Sequence, residues 1–308
     1  MYYKVALALP TNSEIDKISM WLKNIEEGIN FLNQDKYKVS IVIGLNGIAE
    51  RIYCTDTKRF KKLLKCGRYS VDVLLTNTFG KNDCMNYIVS YCRKADYDII
   101  HFFDDDVVPE VDSISLNLEE LTSTEKSPVI VGANFFVNDK SLNWLSKILY
   151  APYQKDSDVN DFIAGYSNCT WLEYYPKLPP TSSMVAEDSF VSIYFSKIGN
   201  GKDAIKKPEK SIVYFEPYLK YSDWFWTQVR TYVGIEKSFL KFDLDYYKYQ
   251  VMFSWRYAED KRFRDKKRRI SLMSWVKLIT FRLLQRRVYK VGQEYLKELK
   301  MIDWNKNE

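Results

Sequence analysis

The stretch HFFDDDVVPE, His101 to Glu110, sets Asp104, Asp105 and Asp106 directly behind the apolar run YDIIHFF. Three adjacent carboxylates repel one another unless a cation or hydrogen bonds offset the charge. Hard oxygen ligands on a short turn suit Mg2+ or Mn2+, particularly where substrate phosphates complete the coordination. The other reading is an acidic cluster that caps a helix or sits in solvent, and the apolar strand in front of it argues against a solvated loop. A second acidic pair, Glu187 and Asp188, opens MVAEDSFVSIYFSKIGNGK, in which Phe190, Val191, Tyr194 and Ile198 fall at helical spacing and Gly199 to Gly201 end the pattern. A helix N-terminus favours carboxylates through its dipole alone, so this pair has a structural reading beside a chemical one.

The chain holds one histidine, His101, which excludes a His-rich zinc site and disfavours a Ser-His-Asp triad. Acid-base work therefore falls to carboxylates, Lys or Tyr. His101 itself stands inside an apolar strand pattern, where a packed structural role is the better expectation. Five cysteines, Cys54, Cys66, Cys84, Cys92 and Cys169, show no CxxC spacing and read as reduced thiols of a cytosolic protein.

The elements that must position these groups alternate. YKVALALP is a first strand ending at Pro10, and TNSEIDKISMWLKNIEEGINFL places Ile15, Ile18, Trp21, Leu22, Ile25, Ile29 and Leu32 on one helical face. YKVSIVIGLNG is a second strand closed by Asn46-Gly47, RFKKLLKC a second helix, VDVLLTN a third strand, KNDCMNYIVSYCRKA a third helix and YDIIHFFDDD a fourth strand. Strands alternating with helices predict an α/β fold with a mostly parallel sheet, whose ligands bind beyond the carboxyl ends of the strands. Asn12, Asn46, Asn77 to Asn82 and the aspartates fall at those ends. Further on, SPVIVGANFFV reads as one strand, DVNDFIAGYSNCTWLEYY as strand and turn, and the proline-rich PKLPPTSS as a hinge or lid.

Composition places the chain among soluble globular proteins, with 46% apolar and 28% charged residues over 308. No apolar run approaches the roughly 18 residues of a membrane span, and MYYKVALALPTNSE lacks the apolar region of a secretory signal. Of the net charge of +6, much sits in RYAEDKRFRDKKRR, Arg256 to Arg269, with eight basic and three acidic residues.

Four segments in order resemble a family 2 glycosyltransferase of the GT-A type, over roughly residues 3 to 235. LALPTNSE resembles the first strand and turn of that family, TFGKNDCMNYIV its glycine-then-asparagine helix start, FFDDDVVPE its DxD signature, and AEDSFVSIYFSKIG its ED motif and following helix. The resemblance implies a Rossmann-like, mixed, mostly parallel sheet flanked by helices, with a nucleotide-sugar half at about 1–110, an acceptor half at about 111–235, and a helical, basic C-terminal extension at 236–308. It implies that Pro10, Thr11, Asn12, Asn46, Gly80, Lys81, Asn86, Asp104 and Asp105 border the donor. It further implies that Asp104 and Asp106 hold Mn2+ or Mg2+, that Arg230 pairs with donor phosphates, that Asp188 is the general base and that Glu187 orients the acceptor. Two departures stand out. GLNG, with Asn46 and then Glu50, replaces the family's base-holding aspartate, and TQVRTYVGI, with Gln228, Arg230 and Tyr232, is a partial QxxRW motif. Without membrane spans and the full motif, the pattern resembles the non-processive bacterial type.

The implied activity is inverting, metal-dependent transfer of one hexosyl or N-acetylhexosaminyl group from a nucleotide sugar, UDP-sugar favoured, to a glycan or lipid-linked saccharide in polysaccharide biosynthesis. Trp171, Trp224 and Trp226 are the aromatic candidates for an acceptor platform, although most of the aromatic content must be core. The basic region, 256–290, interleaves Lys and Arg with apolar residues and could lie on an anionic membrane, giving a cytoplasmic protein peripheral on the inner face. Nucleic acid is not an expected partner, since no binding motif accompanies the charge. The alternatives are a phosphate hydrolase, whose DxD normally follows the first strand, a sugar nucleotidyltransferase, whose glycine-rich loop LPTNSE does not supply, and a non-enzymatic glycan-binding scaffold.

Overall fold

The computed structural model describes residues 2–55, 57–58, 62, 69–78, 80–123, 125–138, 140, 142–150, 163–199, 201–242 and 272–304. The expected helix RFKKLLKC lies outside the described residues apart from Lys62, as do all of Arg256 to Arg269 and the first part of DVNDFIAGYSNCTWLEYY.

The chain divides into two compact units. The first comprises Met1–Phe135, Phe162–Ser183 and Val191–Phe215, and the second Phe136–Asp161, Met184–Phe190 and Glu216–Glu308. Residue 235, where the sequence reading places a domain boundary, falls inside a helix that runs Tyr221–Leu240.

The first unit is built on a seven-stranded sheet. In chain order its first half is β1 (Tyr3–Thr11), α1 (Ile15–Asn30), β2 (Tyr37–Leu45), α2 (Gly47–Thr55), β3 (Ser70–Leu75), α3 (Lys81–Lys94) and β4 (Ile99–Phe103). Strand β5 (Val107–Pro109), helix α4 (Ser113–Thr122), and strands β6 (Ile130–Gly132) and β7 (Asn134–Val137) follow. Then come α5 (Ser146–Leu149), β8 (Ser167–Trp171), α6 (Glu187–Ile198), β9 (Ile205–Lys206), β10 (Ile212–Phe215), α7 (Tyr221–Leu240) and α8 (Leu272–Trp304). The sheet order is β3-β2-β1-β4-β8-β6-β9. The β1–β2, β2–β3, β1–β4 and β6–β9 pairs are parallel, and β8 runs antiparallel to both its neighbours. A second sheet has the order β5-β10-β7.

The apolar runs explain the central strands. Val5 to Leu9 of β1 and Ile99, Ile100 and Phe103 of β4 are wholly buried, as expected of parallel strands covered on both faces. Helix α1 turns Ile15, Ile18, Trp21, Leu22, Ile25 and Ile29 inward, and Trp21 meets Phe103 edge-on at 5.9 Å. Each such side chain contributes about 1.5–3 kcal/mol on full burial. Helix α3 lies so close to β2 that a Cβ on Gly44 would fall 2.7 Å from Cys84 and Ile88.

The connections place the site. From β1 the chain winds outward through β2 to β3, then returns to lay β4 on the other side of β1. The winding reverses between β1 and β4, and in open α/β sheets ligands bind in the crevice at the carboxyl ends of such a pair.

Three local expectations are corrected. VIVGANFFV is two strands in two sheets: Ala133 N–H bonds Ser167 O at 3.1 Å, whereas Asn134 N–H bonds Ser211 O at 2.8 Å, so the backbone changes partner between them. Asn46-Gly47 is no mere turn, since Gly47, at φ +55°, opens α2. Trp171 and Trp224 are core residues, 3% and 0% exposed, leaving Trp226 as the open one of the three.

In the second unit, α8 packs on α7. Phe281, Gln285, Val288, Gly292 and Leu296, spaced four, three, four and four, form its buried stripe. Phe281 meets Trp224 and Tyr289 meets Tyr232, with ring centroids 6.1 and 5.1 Å apart, and Gln293 bonds the Tyr232 hydroxyl.

Candidate functional site

At the β1/β4 switch the chain leaves the sheet through Thr11 on one side and the three aspartates on the other. The middle aspartate is committed to the scaffold. Asp105 accepts hydrogen bonds from the Thr11 hydroxyl on one oxygen and from Lys17 Nζ on the other, the latter at 3.0 Å. Thr11 is itself buried and its oxygen accepts Ser13 N–H at 2.9 Å. Burial alone would raise the Asp105 carboxyl. Hydrogen bonds from Ser13 and Thr11 and the Lys17 charge outweigh it and hold the group below the usual carboxylate range.

The flanking aspartates differ from it. Asp104 Oδ1 pairs with Lys81 Nζ at 2.5 Å. The Asp106 carboxylate accepts its own backbone N–H but has no hydrogen bond or ion pair with another side chain among the described residues, and it is pushed up. Burial is the main cause, and the Asp105 charge adds to it, against opposing contributions from Lys17 and Lys81. A half-buried carboxylate next to another carboxylate, in an otherwise satisfied turn, fits the donor set of a hard divalent cation.

The neighbouring strand ends are tied together. Asn46 N–H bonds Thr11 O at 3.0 Å, the Thr76 hydroxyl bonds Leu45 O at 2.9 Å, and Thr76 and Thr78 share a hydroxyl hydrogen bond at 2.8 Å. Asn46 is buried with Cys84, whose thiol burial pushes up to about 11 against hydrogen bonds from Asn46 and Thr76. Glu50, on α2, accepts the Asn77 N–H on both carboxylate oxygens at 3.0 and 3.3 Å, where Asn77 takes φ +50°. Pro10 is buried at the end of β1 and Asn12 is exposed just beyond it.

Lys81, which pairs with Asp104, opens α3 directly after Gly80. Gly80 has φ +140°, and a Cβ there would fall 2.3 Å from the Thr181 side chain. The first turns of α3 are fastened to the loop expected to act as a hinge or lid. Asn82 Nδ2 donates to Pro179 O at 3.1 Å, Asp83 accepts Thr181 N–H at 3.0 Å, and Asn86 both donates to Leu178 O and accepts Leu178 N–H at 2.9 Å. Asn86 thus spends its carboxamide on that loop.

Glu187 and Asp188 belong to the second unit, in the first turn of α6, where Asp188 Oδ1 accepts Ser189 N–H at 2.7 Å. The residue before them is pinned to α7: Ala186 N–H bonds Gly234 O at 3.2 Å, and the Ser238 hydroxyl donates to Ala186 O at 3.1 Å. A Cβ on Gly234 would come within 2.9 Å of Ala186. Arg230, one turn earlier on α7, is exposed.

His101 is fully buried, stacks on Phe103 at 4.3 Å and shares a 2.9 Å hydrogen bond between Nε2 and the Ser167 hydroxyl. Burial lowers its pKa to about 3, so it is a neutral packing residue. Cys54, Cys84, Cys92 and Cys169 are free thiols. Nothing in the sequence singles out Lys17, although its place in the first turn after the β1 loop is readable.

The fold and this switch-point site define the class of architecture: a mostly parallel seven-stranded sheet flanked by helices, the GT-A glycosyltransferase fold. No family model matches the chain, and no curated protein matches it in sequence. Among solved structures it is similar to a mannosyltransferase from Pyrobaculum calidifontis in complex with GDP-Man and Mn2+, at 15% identity and a TM-score of 0.58, covering 100% of this chain and 89% of that one. Glucosyl-3-phosphoglycerate synthase from Mycobacterium tuberculosis, in complex with Mn2+, UDP-Glc and glycerol 3-phosphate, matches at 14% identity and a TM-score of 0.43, over 76% of this chain and 78% of that one.

Proposed function

We propose that this chain is an inverting, metal-dependent glycosyltransferase. It moves one hexose or N-acetylhexosamine from a nucleotide sugar, a UDP-sugar first, to a hydroxyl of a glycan or lipid-linked saccharide. Residues about 1–110 hold the donor, 111–235 the acceptor, and 236–308 form a basic extension, in a protein at work on the cytoplasmic side of a membrane. The observation that carries the reading is Asp106, a carboxylate without a side-chain partner among the described residues at the β1/β4 switch. The similar mannosyltransferase is in complex with GDP-Man and Mn2+, which supports a nucleotide-sugar donor and keeps GDP beside UDP as a candidate.

Asp106 and Asp104 are the residues that would hold Mn2+ or Mg2+. When bound, such an ion offsets the charge that grows on a departing diphosphate. Donor phosphates would supply the remaining ligands of such an ion. Asp105 keeps the turn in register through Thr11 and Lys17, and Lys81 and Arg230 add cations for the diphosphate. Pro10, Thr11, Asn12, Asn46 and Gly80 border the nucleotide, and Asn86 fixes the loop beside it.

Asp188 takes the acceptor proton as the hydroxyl oxygen attacks the anomeric carbon from the face opposite the leaving group. A carboxylate with an ordinary pKa of about 4 does this in the transition state, as the oxygen becomes acidic, and such a base is worth about 10²–10⁴ in rate. Glu187 orients the acceptor. The test is incubation with UDP- and GDP-sugars, Mn2+ and saccharide primers, with the product's anomeric configuration read by NMR. Transfer with inverted configuration supports the proposal, and retained configuration or an untouched donor overturns it.

A further inference from the structure

The stripe that seats α8 on α7 leaves the opposite side of α8 open, and that side changes character along its length. Val276, Leu283, Arg287 and Lys290, spaced seven, four and three, share one line down the helix, with Trp275 and Arg286 beside it. All six are exposed, Val276 and Leu283 about half so (48% and 57%). The Arg287 guanidinium also rides on the Phe225 ring at 5.7 Å. Beyond Lys290 the exposed face gains Glu294 and Glu298 together with Tyr295 and Lys297, so acidic residues enter it only in the second half of the helix.

A helix that meets only water carries polar residues on its outer face. Here large apolar side chains and cations share one outer line, which a headgroup layer complements by taking up the apolar groups and pairing its phosphates with the cations. Tryptophan is favoured at the boundary between lipid and water. Among the described residues every exposed tryptophan, Trp144, Trp226 and Trp275, falls in this same unit. No helix among the described residues is long and apolar enough to cross a membrane, so the fit is to the surface of one.

We infer that the first half of α8 docks on an anionic lipid surface, with Trp275, Val276 and Leu283 among the headgroups and Arg286, Arg287 and Lys290 against their phosphates. Lipid phosphates complement the cations, and a headgroup layer accepts an apolar stripe without needing a pocket. The inference goes beyond the donor site and stands apart from it, because vesicle binding requires neither metal nor nucleotide.

The experiment is co-sedimentation of the full chain with vesicles of phosphatidylcholine alone and of phosphatidylcholine mixed with phosphatidylglycerol, at low and high salt. The chain is expected on the mixed vesicles only, and to leave them as salt rises. Arg286→Glu with Lys290→Glu should weaken binding at least about tenfold, and Leu283→Ser, tested separately, should weaken it at both salt concentrations. Titration with nucleotide and Mn2+, together with circular dichroism, should be unchanged in both variants, which separates this inference from the donor reading. Equal partition onto the two vesicle types, or variants that bind as the wild type does, would overturn it. So would a dimer in sedimentation that Leu283→Ser dissolves while vesicle binding is absent, since the face would then join two copies of the chain.

Discussion

Lys17 Nζ, in the first turn of α1, stands 3.0 Å from Asp105 Oδ1 in the turn after β4, joining positions 88 residues apart. Together with Thr11 it satisfies the middle aspartate, while Asp104 pairs with Lys81. Lys17→Met should therefore loosen the turn. The pair is partly exposed, so the loss in urea unfolding should be modest, about 1 kcal/mol. Because the folded Asp105 is held below its unfolded value, its contribution is present above the ordinary carboxylate range and disappears as pH falls through the lowered value. The difference between wild type and Lys17→Met should shrink accordingly in acid.

Asp106 carries the opposite sign. Its folded carboxyl is raised, so ionisation costs stability above the folded value and nothing below the unfolded one. Without added metal, Asp106→Asn should stabilise the protein at neutral pH, by about 1 kcal/mol, and the gain should vanish as pH drops below the carboxylate range. Thermal melts across pH check this, and a loss of stability at neutral pH would mean that Asp106 is a structural residue.

Gly80 offers a steric test. Gly80→Ala must adopt φ +140° and place a Cβ 2.3 Å from Thr181, so a cost of about 1–3 kcal/mol in chemical denaturation is expected. Thr181→Gly in the same chain should recover the part due to the clash and leave the part due to the backbone.

His101 is the sole histidine, which makes its titration readable. The folded ring has a pKa of about 3 against an ordinary 6.5, so the unfolded chain binds a proton that the native one refuses between those values. Stability should fall as pH drops from about 6.5, with a slope of up to about 1.4 kcal/mol per pH unit from this group. His101→Phe should flatten that slope, as urea midpoints from pH 7 to pH 5 would show.

Asp188→Asn should lower the rate of sugar transfer by about 10²–10⁴ while nucleotide affinity stays within twofold or so. A matching fall in nucleotide affinity would place Asp188 with the donor instead.

The sequence made the βα alternation and the strand-end placement of the aspartates readable because buried parallel strands appear as apolar runs bounded by polar turns. Asp104 to Asp106 could be placed from seven residues of context. Lys17 could not be assigned, because a partner 88 residues away leaves no local mark. The break between β6 and β7 is equally silent: VIVGANFFV is apolar throughout, and Ser167 and Ser211 decide where the backbone changes sheet. Trp224 sits in an aromatic cluster whose period does not reveal which rings α8 will cover. Asn86 resembled a donor contact by motif, yet its carboxamide goes to Leu178, a loop that the sequence could not bring to α3.

Metal-dependent nucleotide binding at Asp106 is open to calorimetric titration with UDP and with GDP, with and without Mn2+. One nucleotide should bind only with Mn2+ present, and Asp106→Ala should abolish that binding. Failure of both nucleotides to bind wild type with Mn2+ present, or binding that ignores both the metal and the substitution, would contradict the assignment of this turn as a donor site.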